Sequence, residues 1–322
     1  MNPLQTSVAL CSCNGARYLA TQLQSVLAQT VRPDEMVICD DASTDESVSI
    51  IRNFAAEAPF EVRLLQNEKR LGPAKNFEKA IRETRGEIIF LSDQDDVWKP
   101  SKVKVILDVL SAHPEAQFAF SDALMIDDNG MPIEGTLWGD VGLARNAERF
   151  TGSAQLETLL KHNIVTGATM AFRGSFRAAA LPIAAEWMHD HWIVLLASAV
   201  SSGVLVPESQ MMYRRHASQV CGWRKKNFWQ VLRESLSTQA EDWTKKVDAF
   251  RSLMERVALI STEFQCPPDR MKLLKEKELH LSKRSQTRSS SGVSRIAKVL
   301  AEAATGRYGR FSDSWYSVVR DL

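Results

Sequence analysis

The chain has 322 residues, 44% apolar and 25% charged, with a formal net charge of +1. That balance reads as a soluble globular protein with room for one large domain, or one domain plus an appendage. Five cysteines, an odd number without paired metal-ligand spacing, argue against a disulfide framework and a zinc site. The opening "MNPLQTSVAL" has no basic leader ahead of an apolar core, and the longest apolar run, "WIVLLASAV", is too short to span a bilayer. A cytoplasmic protein without a signal peptide is therefore expected. Charge is distributed unevenly. Residues 1–222 carry 20 Lys and Arg against 27 Asp and Glu, whereas residues 223–322 carry 20 against 12. An acidic body with a basic tail suggests a cation-requiring site in the first part and contact with something anionic in the second; the plainer reading of the tail is a solvated helical face.

In chain order, "SVALCSC" is a short apolar strand that places Cys11 and Cys13 on one side. "ARYLATQLQSVLAQ" sets Leu19, Leu23, Val26 and Leu27 at helical spacing. A strand "EMVICDD" and a helix "ASTDESVSIIRNFAAEA" follow, with Ser43 and Glu46 spaced as a capping box. A strand "EVRLLQN" precedes the helix "PAKNFEKAIRETRG", with Pro73 in its first turn and Gly86 past its end. "EIIFLSD" is a near-continuous apolar strand of the kind covered on both faces. A helix from Pro100 to Ala112 and the strand "AQFAFSDAL" complete the alternation, which predicts an α/β fold with a mostly parallel sheet and helices on both faces. Beyond it come a turn at "MIDDNGMPI", a mobile glycine-bearing loop over 135–153, a helix "QLETLLKHN" and a strand "IVTGATMAFR". A buried helix "HDHWIVLLASAVSSG" and an extended "QMMYRRH" lead to a C-terminal region, helical from Asn227, with a flexible break at "KRSQTRSSSGVSR".

Ligands of such sheets bind beyond the carboxyl ends of the strands, where "CNG", "DDASTD" and "SDQDD" should converge. Asp93 and Asp95, two carboxylates one residue apart, suit Mg²⁺ or Mn²⁺ carrying phosphate oxygens; alternatively one caps a helix and the others are solvated. Asp96 is placed at the helix start. Asp40 and Asp41 do nothing for a sheet, and a carboxylate there could accept the N3–H of a pyrimidine. Asp190 lies between His189 and His191 at a helix head, where it could be a base or a cap. Trp138, Trp187 and Trp192 are candidates for sugar stacking or for the core.

Together, "VALCSCNGARYLATQLQSVLAQT", "VICDDASTDES", "NEKRLGPAKNFEKAI", "IIFLSDQDDVW", "HNIVTGATMAFR", "HDHW" and "YRRHASQVCG" resemble glycosyltransferase family two, inverting nucleotide-sugar enzymes of GT-A fold, and most of all its bacterial rhamnosyltransferase-type members. The resemblance covers roughly residues 7–222, leaving 223–322 as a basic helical region. It implies that Cys11, Cys13, Asp40, Asp41, Arg70 and Asp93 meet the nucleotide. It further implies that Asp95 and His216 hold Mg²⁺ or Mn²⁺ and that Asp190 is the general base; His191 is read as structural. Cys13 departs from the aromatic that many members carry there to stack on the base. The implied donor is dTDP-rhamnose or a UDP-hexose. The implied acceptor is a bacterial surface polysaccharide or lipid-linked glycan precursor; the positive charge of the C-terminal region, apart from the resemblance, suggests peripheral contact at the inner face of the membrane. A haloacid-dehalogenase-like phosphatase competes, since "DQDDV" fits its signature, although that signature usually follows the first strand. A non-catalytic nucleotide-sugar binding module competes too, although the acids it would be expected to lose all remain. No Gly-x-Gly-x-x-Gly follows the first strand and no nucleic-acid recognition motif accompanies the basic tail, so neither a dinucleotide nor nucleic acid is an expected partner.

Overall fold

The computed structural model describes residues 4–143, 147, 150–217, 219 and 240–322. It divides into two compact units, one of Met1–Ala147, Ile164–Ala197 and Ser202–Gly222, the other of Glu148–Asn163, Ser198–Ser201 and Trp223–Leu322. Glu148–Asn163 and Ser198–Ser201, expected within the first part, thus cluster with the second unit.

The first unit is built on β1 (Thr6–Ser12), β2 (Glu35–Asp40), β3 (Glu61–Gln66) and β4 (Ile88–Ser92), with α1 (Ala16–Leu27), α2 (Ser47–Glu57) and α3 (Pro73–Glu83) between them. Every residue of β1, β2 and β4 is buried, as expected of strands covered on both faces. After the two-residue β5 (Val97–Trp98) come α4 (Lys102–Ala112), β6 (Ala116–Ser121), β7 (Leu124–Ile126), β8 (Pro132–Thr136) and the short α5 (Leu137–Asp140). Beyond 163, β9 (Met170–Arg173) and the short α7 (Arg177–Ala180) precede α8 (His189–Val200), β10 (Ser202–Val206) and β11 (Met211–Arg214); α6 (Gly152–Lys161) lies in the second unit.

Seven strands form the main sheet in the order β10-β6-β9-β4-β1-β2-β3. Only β9 runs antiparallel to its neighbours in it. The register pairs Ser12 with Asp40 and Leu10 with Ser92, so the polar segments after β1, β2 and β4 emerge side by side. A second sheet, β5-β11-β7-β8, was not foreseen from the sequence. It splits "AQFAFSDAL" between two sheets and turns "MIDDNGMPI" into a hairpin. "IVTGATMAFR" is a strand only in its last four residues.

Two local expectations are corrected, and for two tryptophans an open alternative is resolved. The Ser43–Glu46 capping box does not form. Instead Ser43 Oγ donates to Asp40 Oδ2 at 2.6 Å, and Asp45 accepts the Ser47 amide at the true start of α2. Asp96 is not at a helix start: it is buried ahead of β5, accepts the Arg214 amide at 3.0 Å, and α4 begins only at Lys102. Trp138 and Trp192 are core residues, Trp138 against Phe120 and Trp192 donating to the Ala180 carbonyl at 2.8 Å.

In the second unit, α9 (Ala240–Ile260), α10 (Pro268–Arg288), α11 (Gly292–Ala304), α12 (Arg307–Phe311) and α13 (Trp315–Asp321) join α6. The expected flexible break is shorter than predicted, because α10 runs to Arg288 and only Ser289–Ser291 separate it from α11. Residues 227–239, also expected to be helical, lie outside the described residues. Buried Leu253, Val257 and Leu274 share the interior with a polar cluster in which Arg284 pairs with Asp321 and lies 4.1 Å from the Trp243 ring. A buried guanidinium tolerates this because its donors are engaged and its face stacks on an aromatic. Among the described residues no helix is long and apolar enough to cross a membrane.

Candidate active site

The carboxyl ends of β1, β2 and β4 open into a cleft of about 610 Å³ lined by Cys11, Cys13, Asp41, Arg70, Asp93, Asp95, Asp190 and His216. Eight of the nine residues expected to meet the nucleotide, hold the metal or act as base thus meet at one place. The ninth, Asp40, does not line it. Its carboxylate is buried and accepts Ser12 Oγ at 2.8 Å and the Ser43 amide at 2.9 Å, so it holds the loop after β2.

Asp41 faces the cleft and organises its wall. One oxygen accepts Asn67 Nδ2 at 2.8 Å and the Leu71 amide at 2.7 Å, and the other accepts the Gly72 amide at 2.9 Å. Gly72 has φ of 83°, which favours glycine and lets its N–H turn toward Asp41. A carboxylate offers about four lone-pair sites, so one remains for a ligand N–H. Replacing Asp41 by Asn sets an amide donor against backbone N–H groups. We expect Asp41→Asn to weaken nucleotide binding about tenfold or more and to lose about 1–3 kcal/mol of stability. Calorimetric titration and thermal melts measure the two effects; a variant that binds and melts as the wild type removes Asp41 from the site.

Opposite Asp41, β4 delivers Asp93 and Asp95. The antiparallel pairing of β5 with β11, Met211 against Trp98, brings the segment after β11 back to this point. His216 Nε2 lies 2.7 Å from Asp95 Oδ2. Arg214 donates through Nε to the Asp95 carbonyl at 2.8 Å and fixes the loop, its guanidinium 4.8 Å from the Tyr18 ring. The His216 ring packs on the same tyrosine at 4.9 Å. Asp93 is half-buried and, among the described residues, its carboxylate has no hydrogen-bond or ion-pair partner. Burial, with the charges of Asp95 and Asp190 adding to it and Lys102 opposing, pushes Asp93 up to about 7.

Lys102 was not singled out from the sequence, because "KVKVIL" reads as a helix with solvated lysines. The structure buries it completely. Its Nζ donates to the Ala168 carbonyl and sits 4.0 Å from the Trp98 ring centre, beneath the acidic cluster. Burial lowers its pKa to about 7, with the Asp96 and Asp93 charges acting the other way. Gln94 was missed as well: its side-chain oxygen accepts the Cys13 amide at 2.8 Å and ties the loop after β1 to the one after β4.

These shifts predict a pH dependence with a definite sign. Asp93 binds its proton more tightly folded than unfolded, so its contribution to stability falls as pH rises from about 4 to 7. Lys102 binds its proton less tightly folded, so its contribution rises from about pH 7 to 10. Relative to wild type, Asp93→Asn should therefore gain stability as pH rises from 5 to 8, by several degrees in Tm at about 2–4 °C per kcal/mol. Lys102→Met should lose its relative advantage between pH 7 and 10. Differential melts across pH check both; parallel curves for wild type and variants defeat the assignment.

Asp190 enters from the first turn of α8. Its Oδ2 accepts the Gly167 amide at 3.1 Å and its Oδ1 the His191 amide at 2.6 Å. His189 is buried and stacks on Phe77 at 3.8 Å; burial lowers its pKa, so the ring is neutral near pH 7. Trp187 is half-buried and meets His191 edge-on at 5.1 Å. Arg70 is exposed at the rim, and Cys13 Sγ lies 3.5 Å from the Asp41 carbonyl.

The chain belongs to glycosyl transferase family 2, whose sequence model matches residues 7–178, more than half of it. It is 26% identical over 266 residues to a Mycobacterium tuberculosis protein, covering 79% of this chain and 71% of that one. Over 101 residues it is 34% identical to the dTDP-rhamnosyl transferase RfbG of Shigella flexneri, covering 30% of this chain and 35% of that one. Among solved structures, S. aureus TarS 1-349 in complex with UDP matches with a TM-score of 0.59 at 14% identity, covering 99% of this chain and 89% of that one. A mannosyltransferase of Pyrobaculum calidifontis, in complex with GDP-Man and Mn²⁺, matches at 0.55 and 17%, covering 100% and 86%. At such identities the structural likeness establishes the fold, the mixed α/β architecture of these glycosyltransferases. Family membership makes the chain a glycosyltransferase using nucleotide sugars and sets aside the phosphatase reading.

Proposed function

We propose that the protein is a metal-dependent, inverting glycosyltransferase with a pyrimidine nucleoside-diphosphate sugar, dTDP-rhamnose or a UDP-hexose, as donor. The proposed acceptor is a hydroxyl of a bacterial surface polysaccharide or of its lipid-linked precursor. The observation that carries this reading is the convergence of Asp41, the Asp93–Asp95–His216 group and Asp190 on one cleft. RfbG, 34% identical over its matched stretch, is named for a dTDP-sugar, which supports a pyrimidine donor.

The residues fit a divalent cation. Asp93 is a carboxylate without a described partner, and the Asp95 and His216 donor atoms lie 2.7 Å apart. Among the described residues no group of three or more His, Cys, Asp or Glu is placed to hold a metal ion. Mg²⁺ and Mn²⁺ take one or two carboxylates and leave positions for substrate phosphates, so the proposal rests on the Asp95–His216 pair with Asp93 beside it. Asp95 and His216 would hold the ion beside Asp93, and it would supply positive charge to the departing diphosphate. The side chains carry the remaining steps. Asp41 accepts the base N–H, and Arg70 at the rim adds positive charge near the phosphates. Asp190 takes the acceptor proton as the hydroxyl oxygen bonds to the anomeric carbon and the bond to the diphosphate oxygen breaks. A single displacement of this kind inverts the anomeric configuration. The two units are proposed to divide the work, catalysis in the first and contact with the membrane in the basic C-terminal region.

A thermal-shift panel of UDP, dTDP, GDP and CMP, each with and without Mn²⁺, tests the proposal. Stabilisation by UDP or dTDP that needs the metal is expected. Stabilisation by GDP alone, or equally without metal, overturns the donor or the metal assignment respectively.

A further inference from the structure

The second unit contains two helices that turn apolar residues outward. In α11 the inward side carries polar groups beside the fully buried Val299: Arg295 Nε donates to the Asp321 carbonyl at 2.6 Å, and Glu302 lies 2.7 Å from His280 Nδ1 and pairs with Arg307. At 3.6 residues per turn, Val293, Ile296 and Leu300 share the opposite side. They face outward, Val293 83% and Leu300 58% exposed. The short α13 repeats the arrangement. Ser317 and Asp321 are buried, while Trp315, Tyr316 and Val319 are exposed, the two aromatic rings stacked 3.8 Å apart. A helix on a globular surface normally turns its apolar stripe inward, so two that expose it require something apolar outside.

Charge chooses the occupant. Residues 283–322 carry eight Lys and Arg against three Asp and Glu. All three acids are paired with bases: Glu302 with Arg307, Asp321 with Arg284 and Asp313 with Arg320. Exposed Lys283 and Lys298 add uncompensated positive charge. Two exposed apolar helix faces, one of them bearing a stacked Trp–Tyr pair, in a segment of net positive charge fit helices lying in the interface of an anionic bilayer. We propose that α11 and α13 dock on anionic phospholipid with Val293, Ile296, Leu300, Trp315 and Val319 immersed at the headgroup–acyl boundary. This deepens the proposed membrane contact of the C-terminal region and is independent of the catalytic reading.

The test is co-sedimentation of the full chain with vesicles of phosphatidylcholine alone or mixed with phosphatidylglycerol, at low and high salt. Binding to the mixed vesicles is expected, with part of it surviving salt. The double variant Val293→Asp/Leu300→Asp should lose about tenfold or more in partitioning, and Val319→Asp on the other helix should lose in the same direction. All three positions are exposed, and Leu279→Asp, exposed on α10 outside the two helices, is the control expected to bind normally. Brominated lipid should quench wild-type tryptophan fluorescence more than that of Trp315→Phe. Wild-type binding by the double variant, or complete release of wild type by salt, overturns immersion and leaves at most attraction by charge. A wild-type dimer that the double variant converts to monomer assigns the face to a second copy and overturns the proposal. Nucleotide-induced thermal shifts, expected to be unchanged in the double variant, keep this outcome separate from that of the donor reading.

Discussion

Asp95→Asn is expected to abolish turnover and to remove the metal dependence of nucleotide binding. Its Oδ2 lies 2.7 Å from His216 Nε2, in a cleft that also receives Asp93, whose carboxylate has no partner among the described residues. A neutral amide is a poor ligand for a hard cation, and its NH₂ presents a donor where an oxygen is needed. The loop itself should keep its shape, because Arg214 Nε is held by the Asp95 backbone carbonyl and not by the side chain. The loss in kcat should be 10²-fold or more, on the order of removing a group that stabilises transition-state charge. Asp96→Asn is the contrast. Burial and the neighbouring Asp95 and Asp93 charges push Asp96 well above the usual carboxylate range. An asparagine there keeps the size and the oxygen that accepts the Arg214 amide, outside the residues lining the cleft, and should leave activity close to wild type. Steady-state rates over a Mn²⁺ series, with nucleotide titrations in chelator, measure both. Full Mn²⁺-stimulated activity in Asp95→Asn ends the metal assignment.

The parts of this site legible in the sequence are those whose signal is local. β1, β2 and β4 announce themselves because strands covered on both faces must be apolar throughout, so the polar residue after each run marks the sheet edge. His216 and Asp95 are different. The elements that bring them together are two and four residues long, too short to show a period, and the pairing of β5 with β11 links positions more than a hundred residues apart. The resemblance to a family supplied what periodicity could not. Lys102 escaped because lysine on a helix is normally solvated, and only the assembled core reveals a carbonyl, an indole face and two carboxylates around its ammonium. The capping-box error at Ser43 has a similar cause. Asp40 is close enough to take the hydroxyl first, and a spacing rule does not see that competitor. In α11 the sequence shows amphipathicity but not its direction, since a periodic stripe has the same spacing whether it faces the core or the outside.

Asp190→Asn is expected to bind donor and metal nearly as wild type while losing on the order of 10²–10⁴-fold in kcat, the scale of general-base catalysis. The structure refines what else should change. Asp190 accepts the Gly167 and His191 amides, one on each oxygen, at 3.1 and 2.6 Å. Asparagine keeps one acceptor and turns its NH₂ toward the other donor, so about 1–3 kcal/mol of stability should be lost with the rate. Two measurements separate these effects. A modest fall in Tm with an unchanged nucleotide-induced shift shows that the cleft is intact, and the rate loss then belongs to the missing proton acceptor. A variant that unfolds would make Asp190 a structural cap, since α8 and the 167 turn both depend on it. A variant that stays folded and active would place the base on another residue. The mechanism has its own check, because one carboxylate base in a single displacement demands a product of anomeric configuration opposite to the donor. Proton NMR of the first-formed product reads this directly, and retention would overturn the inverting mechanism whatever the variant does.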